Sequence, residues 1–439
     1  MLYIKNGKII DPEDDRVYFG DLEIKEGKIV KIICRDEGAT EDGYTCALEE
    51  GNACVLEEGA QVIDAKGMMI APGFADVHVH FRDPGFTYKE DIYTGAAAAA
   101  AGGYTEIVLM ANTKPCVDNE ETLNYVLNKG KETGIHIESC VNVTKGMAGK
   151  ELVDMEGLAE KGAVGFTDDG IPIMDVEIVK EAMMRAAALG KPISFHEENP
   201  ALISNNGVNA GKASAFYEIG GSPREAEISL VERDLKLAME SGADVVIQHI
   251  SSKEAVELVR RAKAAGAHVH AEGTPHHFTL TEDAVIKKGT LAKMNPPLRE
   301  EGDRLAVIEG LRDGTIDMIA TDHAPHSAEE KGRGFEKSLN GIVGLETAFP
   351  ALYTELVKNH VITLEKLLGL MSYAPQKRFG IELDGFTVYD LENEYTIDPS
   401  SFCSKGRSTP FDGKKVFGKC IATVSNGNIA YLDEKILTV

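Results

Sequence analysis

Closely spaced cysteine pairs are missing from this 439-residue chain, although it contains seven cysteines. Their number is odd and no two have the CxxC spacing, so the sequence indicates neither a disulfide framework nor a thiolate zinc site. Long apolar runs are missing too, since none approaches the roughly 18 residues of a membrane span. The first residues, Met1–Lys8, lack the apolar core of a signal peptide. We therefore expect a cytoplasmic protein with no membrane partner.

Basic residues are too few to balance the acidic ones. The 46 lysines and arginines face 71 aspartates and glutamates, which gives a net charge of −25. Phosphate contacts need a basic surface, so this balance argues against nucleic acid as a partner. Residues 36–58 contain acidic residues but no lysine or arginine. We interpret this stretch as an exposed loop or hairpin, with a binding surface as the alternative.

Strand-like and helix-like segments alternate through the middle of the chain, from Gly73 to about Pro325. The strand candidates are Phe74–His80, Thr105–Asn112, His136–Asn142, Ala163–Asp168, Pro192–His196, Asp244–His249, His268–Glu272 and Asp317–Asp322. The helix candidates, with apolar residues three and four apart, are Ala96–Ala101, Val176–Leu189, Glu225–Glu240, Lys253–Ala265 and Asp303–Arg312. Eight such units favour a (β/α)8 TIM-type barrel, with an open doubly wound sheet as the alternative.

Short predicted strands flank this region on both sides. They are Leu2–Lys5, Gly7–Ile10, Asp21–Lys25, Lys28–Ile33 and Gln61–Asp64 before it, and Thr387–Leu391, Val416–Val424 and Asn428–Leu432 after it. We therefore predict an α/β fold in which residues 71–384 form the barrel. Residues 1–70 plus 385–439 would form one small, discontinuous, β-rich domain of sandwich type.

Polar residues stand at the carboxyl ends of five predicted barrel strands. They are His78 and His80 on strand one, Asp168 and Asp169 on strand four, His196 on strand five, His249 on strand six and Asp322 on strand eight. These ends share one rim of a barrel, where barrel enzymes place their chemistry. One histidine at a strand end is more often a packing residue. Packing does not require four imidazoles and several carboxylates at one rim, whereas divalent ions do.

This ligand set narrows the chemistry. Histidine and carboxylate ligands without thiolate suit zinc, manganese or cobalt with solvent left bound. Such an ion lowers the pKa of its water from about 15.7 to near 7. Two ions bridged by a carboxylate could also polarise a carbonyl group. The predicted reaction class is therefore hydrolysis of an amide or a similar bond.

Several long motifs carry a family resemblance. The segment Gly73–Gly85 (GFADVHVHFRDPG) resembles the first signature of the dihydroorotases of the amidohydrolase superfamily, and Ala320–His326 (ATDHAPH) resembles their second. Further motifs follow in the order of that family: Gly102–Thr105, Ala111–Thr113, Phe166–Gly170, Lys293–Arg299, Gly341–Thr347 and Ser404–Phe411. The resemblance therefore extends over nearly the whole chain.

The resemblance implies a metal site and a substrate site. The implied metal ligands are His78, His80, Asp169, His196, His249 and Asp322. Asp169 would bridge two divalent ions, expected to be zinc, and Asp322 would be the catalytic residue that carries a proton to the ring nitrogen. The implied substrate-binding residues are Arg82, Asn112, Asn295, His326, Asn340 and Gly341. A guanidinium suits a substrate carboxylate because its donors form a fork.

The activity implied by the resemblance is the reversible interconversion of L-dihydroorotate and N-carbamoyl-L-aspartate in pyrimidine biosynthesis. Dihydropyrimidinases, hydantoinases and allantoinases are alternatives, but they resemble one another in a carboxylated lysine on strand four, and Gly165–Gly170 contains no lysine. An inactive dihydroorotase-like scaffold for aspartate carbamoyltransferase is a further alternative. The expected partners are a small-molecule substrate, further copies of the chain and, as a possibility, that carbamoyltransferase.

Two sites depart from the pattern of the family, and the role of one loop stays open. Ala111 replaces a proline before Asn112, and Ser338–Asn340 form a less apolar approach to the substrate loop. The glycine-containing loop after strand eight, which includes Lys331–Glu336, could be a mobile cover over the site or a plain solvated loop.

Overall fold

The structure is a computed structural model that describes residues 2–13, 16–25, 28–34 and 61–433. The acidic stretch 36–58 lies outside these residues, so its interpretation as a loop or hairpin stays a prediction. No helix in the described part of the chain is long and apolar enough to cross a membrane.

Five strands precede the barrel. They are β1 (Leu2–Asp11), β2 (Arg16–Lys25), β3 (Lys28–Cys34), β4 (Gln61–Asp64) and β5 (Met69–Pro72). The two strands predicted within residues 2–10 are one strand, β1. Its register against β2 shifts between Ile4 and Gly7, and this irregularity accounts for the break in the sequence pattern.

Eight parallel strands then follow one another in sheet order. They are β6 (Phe74–Val79), β7 (Tyr104–Leu109), β8 (His136–Val141), β9 (Gly165–Thr167), β10 (Ile193–Phe195), β11 (Val245–Ile247), β12 (Val269–Gly273) and β13 (Met318–Ile319). Every residue of β6 and β7 is buried, as expected for strands covered on both faces.

The last barrel strand returns to the first one. Val79 and His323 form a parallel bridge, and the His80 N–H donates to the His323 carbonyl at 2.9 Å. The Asp76 carboxylate accepts the Thr321 N–H at 3.0 Å. The predicted (β/α)8 barrel is therefore confirmed, and the open doubly wound alternative is wrong.

Helices connect the strands and cover the barrel. They are α1 (Ile92–Ala101), α2 (Glu120–Gly130), α3 (Met155–Glu160), α4 (Val176–Leu189), α5 (Lys212–Phe216), α6 (Arg224–Ser241), α7 (Lys253–Ala264), α8 (Pro275–Thr279), α9 (Glu282–Lys288), α10 (Glu301–Asp313), α11 (Ala328–Lys331), α12 (Ala348–Leu352), α13 (Leu364–Met371) and α14 (Tyr373–Phe379). Helix α4 has the predicted bounds because both of its ends are capped. The Asp175 side chain accepts N–H groups of its first turn, and Gly190 ends it at φ 62°.

The chain ends in β14 (Phe386–Asp390), β15 (Tyr395–Thr396), β16 (Lys415–Val416), β17 (Lys419–Ser425) and β18 (Asn428–Leu432). The single strand predicted over Val416–Val424 is wrong. Gly418, at φ 86°, breaks it, so that β16 pairs with β15 and β17 pairs with β14.

One sheet combines strands from both ends of the chain. Its order is β18-β17-β14-β5-β1-β2-β3, with β4 on β1, and β14 runs antiparallel to β5. This pairing supports a discontinuous β-rich domain, while its exact bounds stay a prediction.

Aromatic residues join this sheet to the barrel. The Phe74 ring lies 5.6 Å from the Tyr104 ring and 5.7 Å from the Tyr389 ring, centroid to centroid. The Tyr389 hydroxyl also donates to the Gly102 carbonyl at 2.6 Å. Because Phe74 and Tyr104 begin their strands, the junction lies at the amino end of the barrel. The carboxyl end is therefore left for the site.

Candidate functional site

Six of the predicted site residues come together at the carboxyl end of the barrel. His78 lies in β6, while His80, Asp169, His196, His249 and Asp322 each follow a barrel strand within a few residues. None of the six is more than 7% exposed. Burying this many ionisable groups together is costly unless they bind one another or a cation.

The Asp169 carboxylate lies at the centre of the cluster. Its Oδ1 lies 3.4 Å from His78 Nε2, 3.6 Å from His196 Nδ1 and 4.0 Å from His249 Nε2. Its Oδ2 lies 3.4 Å from His80 Nε2. The two carboxylate oxygens therefore face different histidines.

Asp322 approaches the cluster from the last strand. Its Oδ1 lies 3.1 Å from His80 Nε2 and 3.6 Å from His78 Nε2. His78, His80 and Asp322 thus form a compact group of nitrogen and oxygen donors, and His78, Asp169 and His249 form a second one, with all donor atoms of each group within 4.8 Å of one another.

Two atoms of this cluster test whether it fits a metal ion. His78 Nε2 and Asp169 Oδ1 are buried, and neither has a hydrogen-bond partner among the described residues. Buried polar atoms are rarely left in this way, and imidazole nitrogen with carboxylate oxygen is a donor set for divalent cations. The residues present therefore fit a divalent metal centre.

Three of the histidines have an outer hydrogen-bond partner. His78 Nδ1 lies 2.9 Å from Glu272 Oε2, His80 Nδ1 lies 2.9 Å from Asn112 Oδ1, and His196 Nε2 lies 3.2 Å from Glu198 Oε2. A hydrogen donated outward leaves the other ring nitrogen with its lone pair directed into the cluster. These partners thus orient the three imidazoles.

Sequence reasoning missed Glu272 and Glu198 as part of the site. Glu272 ends the predicted strand His268–Glu272, so the rule that selected the other strand-end residues could have found it. Glu198 follows His196 by two residues, in a segment without regular structure. No periodic pattern could therefore show where its side chain points.

The charges of the cluster support one another. Burial alone would raise the pKa of Asp169, but the imidazoles of His78 and His196 hold it well below its usual range. Burial alone would lower the pKa of His78, whereas the carboxylates of Glu272 and Asp169 raise it well above its usual range. The Asp169 carboxylate therefore favours positive charge beside it, and a bound cation would replace the proton on His78 Nε2.

Asp168, the neighbour of Asp169, stabilises a loop through hydrogen bonds. Its carboxylate accepts the N–H groups of Val143 and Thr144 at 2.9 and 3.2 Å, and the Thr144 hydroxyl as well. It thereby fixes the loop that follows β8 and points away from the histidines. The choice of Asp169 rather than Asp168 as the metal ligand stays a prediction.

Several site residues have unusual backbone conformations. Arg82, His249 and Asp322 have φ values of 59°, 32° and 49°. Positive φ disfavours residues with a Cβ atom, and such strain is concentrated at functional sites. The turn at each of these positions directs the side chain away from the extended path of its strand.

The predicted substrate residues lie around the same rim. Arg82 Nε donates to the Pro325 carbonyl at 3.3 Å, and His326 Nε2 donates to the Asn340 carbonyl at 2.7 Å. The side-chain oxygens of Asn295 and Asn340 are buried without a hydrogen-bond partner in the described chain. These two amides can therefore accept hydrogen bonds from a ligand.

Asn112 and Gly341 are held more firmly. Asn112 Nδ2 donates to Asp169 Oδ2 at 3.1 Å while its Oδ1 meets His80, so its side chain lies between two of the predicted metal ligands. The Gly341 N–H donates to the Lys293 carbonyl at 3.0 Å. Gly341 has a φ of 134°, and a Cβ atom there would lie 2.5 Å from the Ala324 carbonyl oxygen.

Comparisons with known proteins agree with this geometry. Residues 67–255 match a family model described as Dihydro-orotase-like. A protein from Clostridioides difficile named Dihydroorotase is 49% identical over 98% of this chain and 100% of its own length. One of the same name from Lactococcus lactis is 41% identical over 98% of this chain and 99% of its own length.

Solved structures share the fold. L-hydantoinase (dihydropyrimidinase) from Arthrobacter aurescens superimposes with a TM-score of 0.81 and 25% identity, over 100% of this chain and 97% of its own. Dihydropyrimidinase from Brevibacillus agri gives a TM-score of 0.81 with 22% identity, over 98% of this chain and 95% of its own. At this identity the second likeness concerns the fold alone.

Proposed function

The chain belongs to the dihydroorotase family, and from this premise we propose which of its residues perform the reaction of that family. The protein is a cyclic-amide hydrolase that interconverts L-dihydroorotate and N-carbamoyl-L-aspartate. In the hydrolytic direction water adds to the ring amide carbonyl, the bond from that carbonyl carbon to the ring nitrogen breaks, and the nitrogen gains a proton. Cyclisation reverses these steps and releases water.

The metal ligands in this proposal are His78, His80, Asp169, His196, His249 and Asp322. The single observation that carries the assignment is the central Asp169 carboxylate, whose Oδ1 and Oδ2 face different histidines. Such a carboxylate suits a bridge between two divalent ions, with zinc as the preferred metal. When bound, the metal activates water and polarises the carbonyl of the substrate.

Asp322 is the proposed proton carrier. Its Oδ1 lies 3.1 Å from His80 Nε2, so the side chain would border a metal held by His80 and a carbonyl that reacts there. It would take the proton from the attacking water and deliver it to the departing ring nitrogen. In the synthetic direction it would take a proton from the ureido nitrogen.

The remaining residues bind and orient the substrate in this proposal. The Arg82 guanidinium would pair with the substrate carboxylate, and His326 and Gly341 would border the same end. The unpaired amide oxygens of Asn295 and Asn340 would accept substrate N–H groups. Asn112 would act between the substrate and the metal ligands, because its side chain already contacts His80 and Asp169.

Two features favour this function over the alternatives. Strand four contains no lysine between Gly165 and Gly170 that could be carboxylated, which disfavours the hydantoinase type of site. All six ligands are present and face one another, which disfavours an inactive scaffold. Assembly into a homo-oligomer, a complex with aspartate carbamoyltransferase and location in the cytoplasm stay predictions.

The direct test is an assay of the purified protein with L-dihydroorotate, beside dihydrouracil, hydantoin and allantoin. The metal content of the same sample is measured before and after chelation. We expect turnover of dihydroorotate alone, lost with the metal and restored by adding it back. Turnover of an uncharged ring would contradict the role of Arg82. No turnover with metal bound would favour the scaffold.

A further inference from the structure

Two buried lysines next to the substrate residues have no part in the proposed reaction. Lys293 lies between α9 and α10, and Lys331 ends α11; they are only 2% and 4% exposed. The Lys293 ammonium donates to the carbonyls of Phe335, Glu336 and Ser338 at 2.8, 3.1 and 3.0 Å. All three acceptors belong to the loop that follows α11.

Lys331 also donates hydrogen bonds to this loop. Its ammonium donates to the carbonyls of Lys293, Leu339 and Gly341 at 3.3, 3.0 and 2.9 Å. An ammonium group has three donors, so each lysine is saturated by backbone carbonyls. Six hydrogen bonds thus gather residues 335–341 and the segment at Lys293 around two cations.

The connected residues are those that the proposed function assigns to the substrate. Asn295 is two residues from Lys293, whose carbonyl accepts hydrogen bonds from Lys331 and from the Gly341 N–H. Asn340 lies between Leu339 and Gly341, and its carbonyl accepts a hydrogen bond from His326. The two ammonium groups therefore link substrate residues that come from separate loops.

An aromatic contact fixes the outer end of this loop. The ring of Phe335 stacks on that of Tyr217 with 3.6 Å between centroids and 3° between planes. The Tyr217 hydroxyl in turn donates to the Val285 carbonyl at 3.1 Å. The loop is thus fastened at Phe335 and again at residues 338–341.

Burying two like charges side by side is unfavourable for folding. Burial, together with the charge of Lys293, lowers the pKa of Lys331 to about 7, and burial lowers that of Lys293 to about 8. Apolar side chains would fill the same space without this cost. What the two ammonium groups provide in return is six hydrogen bonds to backbone carbonyls, five in the loop after α11 and one at Lys293.

We propose that Lys293 and Lys331 are positioning residues that hold the substrate-binding loops in their working arrangement before the substrate arrives. This inference rests on the proposed function for the identity of the substrate. Under it, the loop after α11 is a preformed wall of the site, neither a mobile cover nor a plain solvated loop.

The loop arrangement can be tested without any turnover. Hydrogen exchange is followed by mass spectrometry in the full-length, metal-loaded protein and in Lys331→Met, with Lys337→Met as the matched control in the same loop. Lys337 is exposed, so its substitution removes a charge without disturbing the hydrogen bonds of the Lys293 and Lys331 ammonium groups. We expect faster exchange in residues 335–341 of Lys331→Met only. Unchanged exchange in that variant would overturn the proposal.

Kinetics separate positioning from general stability. We expect Lys331→Met to raise the KM for L-dihydroorotate roughly 10- to 100-fold while kcat changes much less, because misplaced binding groups lose their geometry before the metal centre does. Metal content should equal that of the unmodified protein. A fall in kcat at unchanged KM would contradict the proposal.

A second variant protects the test against a folding failure. Lys293→Met removes the other ammonium group and its three hydrogen bonds. Residues 335–341 should again exchange faster, and the KM for L-dihydroorotate should again rise. If neither variant folds while Lys337→Met does, Lys331→Gln keeps two donors without the charge and should give an intermediate KM. If the unmodified protein fails to turn over dihydroorotate, the proposed function fails, whereas hydrogen exchange still decides the role of the lysines.

Discussion

His78 and Glu272 form a buried pair in which His78 Nδ1 lies 2.9 Å from Glu272 Oε2, on the side of the ring away from Asp169. The imidazole comes from β6 and the carboxylate from β12, so the contact crosses the barrel interior. Glu272 is fully buried, and its other oxygen, Oε1, has no hydrogen-bond partner in the described chain. A carboxylate in this position increases the basicity of the ring and fixes its orientation.

Glu272→Gln should therefore weaken metal binding without removing a ligand. A neutral amide can still accept the Nδ1 hydrogen, but it no longer stabilises positive charge on the ring. We expect the affinity for zinc to fall roughly 10- to 100-fold, the range found for such partners of metal ligands. Competition with a chelating indicator dye measures this affinity directly.

Glu225→Gln is the matched control, because Glu225 is exposed on α6 and far along the chain from any ligand. It should leave the zinc affinity unchanged. Equal affinity in Glu272→Gln and the unmodified protein would show that the buried pair does not support the metal.

Asn112→Ala tests whether this side chain serves the metal as well as the substrate. The change removes the acceptor for His80 Nδ1 and the donor to Asp169 Oδ2. Each lost partner leaves a buried polar group unsatisfied, at about 1–3 kcal/mol. We expect both a higher KM for dihydroorotate and weaker zinc binding, measured by enzyme kinetics and by dye competition. A higher KM with unchanged zinc affinity would limit Asn112 to the substrate.

Arg82→Gln tests the carboxylate contact. Loss of a charged hydrogen-bond partner in a buried site should cost about 2–4 kcal/mol, seen as a lower kcat/KM for dihydroorotate. Metal content should stay the same, since Arg82 is not a proposed ligand. Arg333→Gln, an exposed arginine in the loop after α11, is the control and should behave as the unmodified protein. An unaltered kcat/KM in Arg82→Gln would refute the assignment.

The sequence predicts all eight barrel strands because buried parallel strands are continuous apolar runs with turn residues at their ends. It places the carboxyl end of seven of them too late, whereas β12 ends one residue later than predicted, at Gly273. The predicted strand Asp317–Asp322 is only Met318–Ile319, since Asp322 has a φ of 49° and leaves the extended path. Likewise, Val245–Ile247 ends before His249, which has a φ of 32°.

These shortened ends accompany the gathering of side chains at the rim. The backbone turns at His249 and Asp322, and their side chains reach the cluster of histidines and Asp169. Local sequence propensity does not predict this turn, because a positive φ at a residue with a Cβ atom is unfavourable by itself and needs the surrounding structure to stabilise it. The clustering of these side chains at the rim could therefore be predicted from the sequence, whereas the backbone conformation that brings them together could not.

The loops were the least predictable part. Lys293 and Lys331 are ordinary polar residues in the sequence, and lysine is almost never fully buried. Their burial depends on backbone carbonyls of residues 335–341, which come close only when the barrel has formed. No periodicity or spacing reports such a contact, so the sequence left both a mobile cover and a solvated loop open.

Glu106→Gln should change how stability depends on pH. Glu106 lies in β7 and is 2% exposed, and burial raises its pKa to about 9 from an ordinary value of about 4.5. The folded chain therefore holds a proton that the unfolded chain has released between these two values. Stability from this group is complete below the lower value and is lost as the pH rises through about 9, at up to about 1.4 kcal/mol per pH unit.

Glutamine stays neutral and keeps an oxygen to accept the Asp384 N–H, which lies 3.3 Å from Glu106 Oε1. The free energy of unfolding, measured with urea at pH 7 and pH 9 with saturating metal, should fall less in Glu106→Gln than in the unmodified protein. Glu121→Gln, on the exposed face of α2, should keep the full pH dependence. If all three proteins lose the same free energy between pH 7 and pH 9, the Glu106 carboxyl is already ionised at neutral pH, and the barrel interior tolerates its charge.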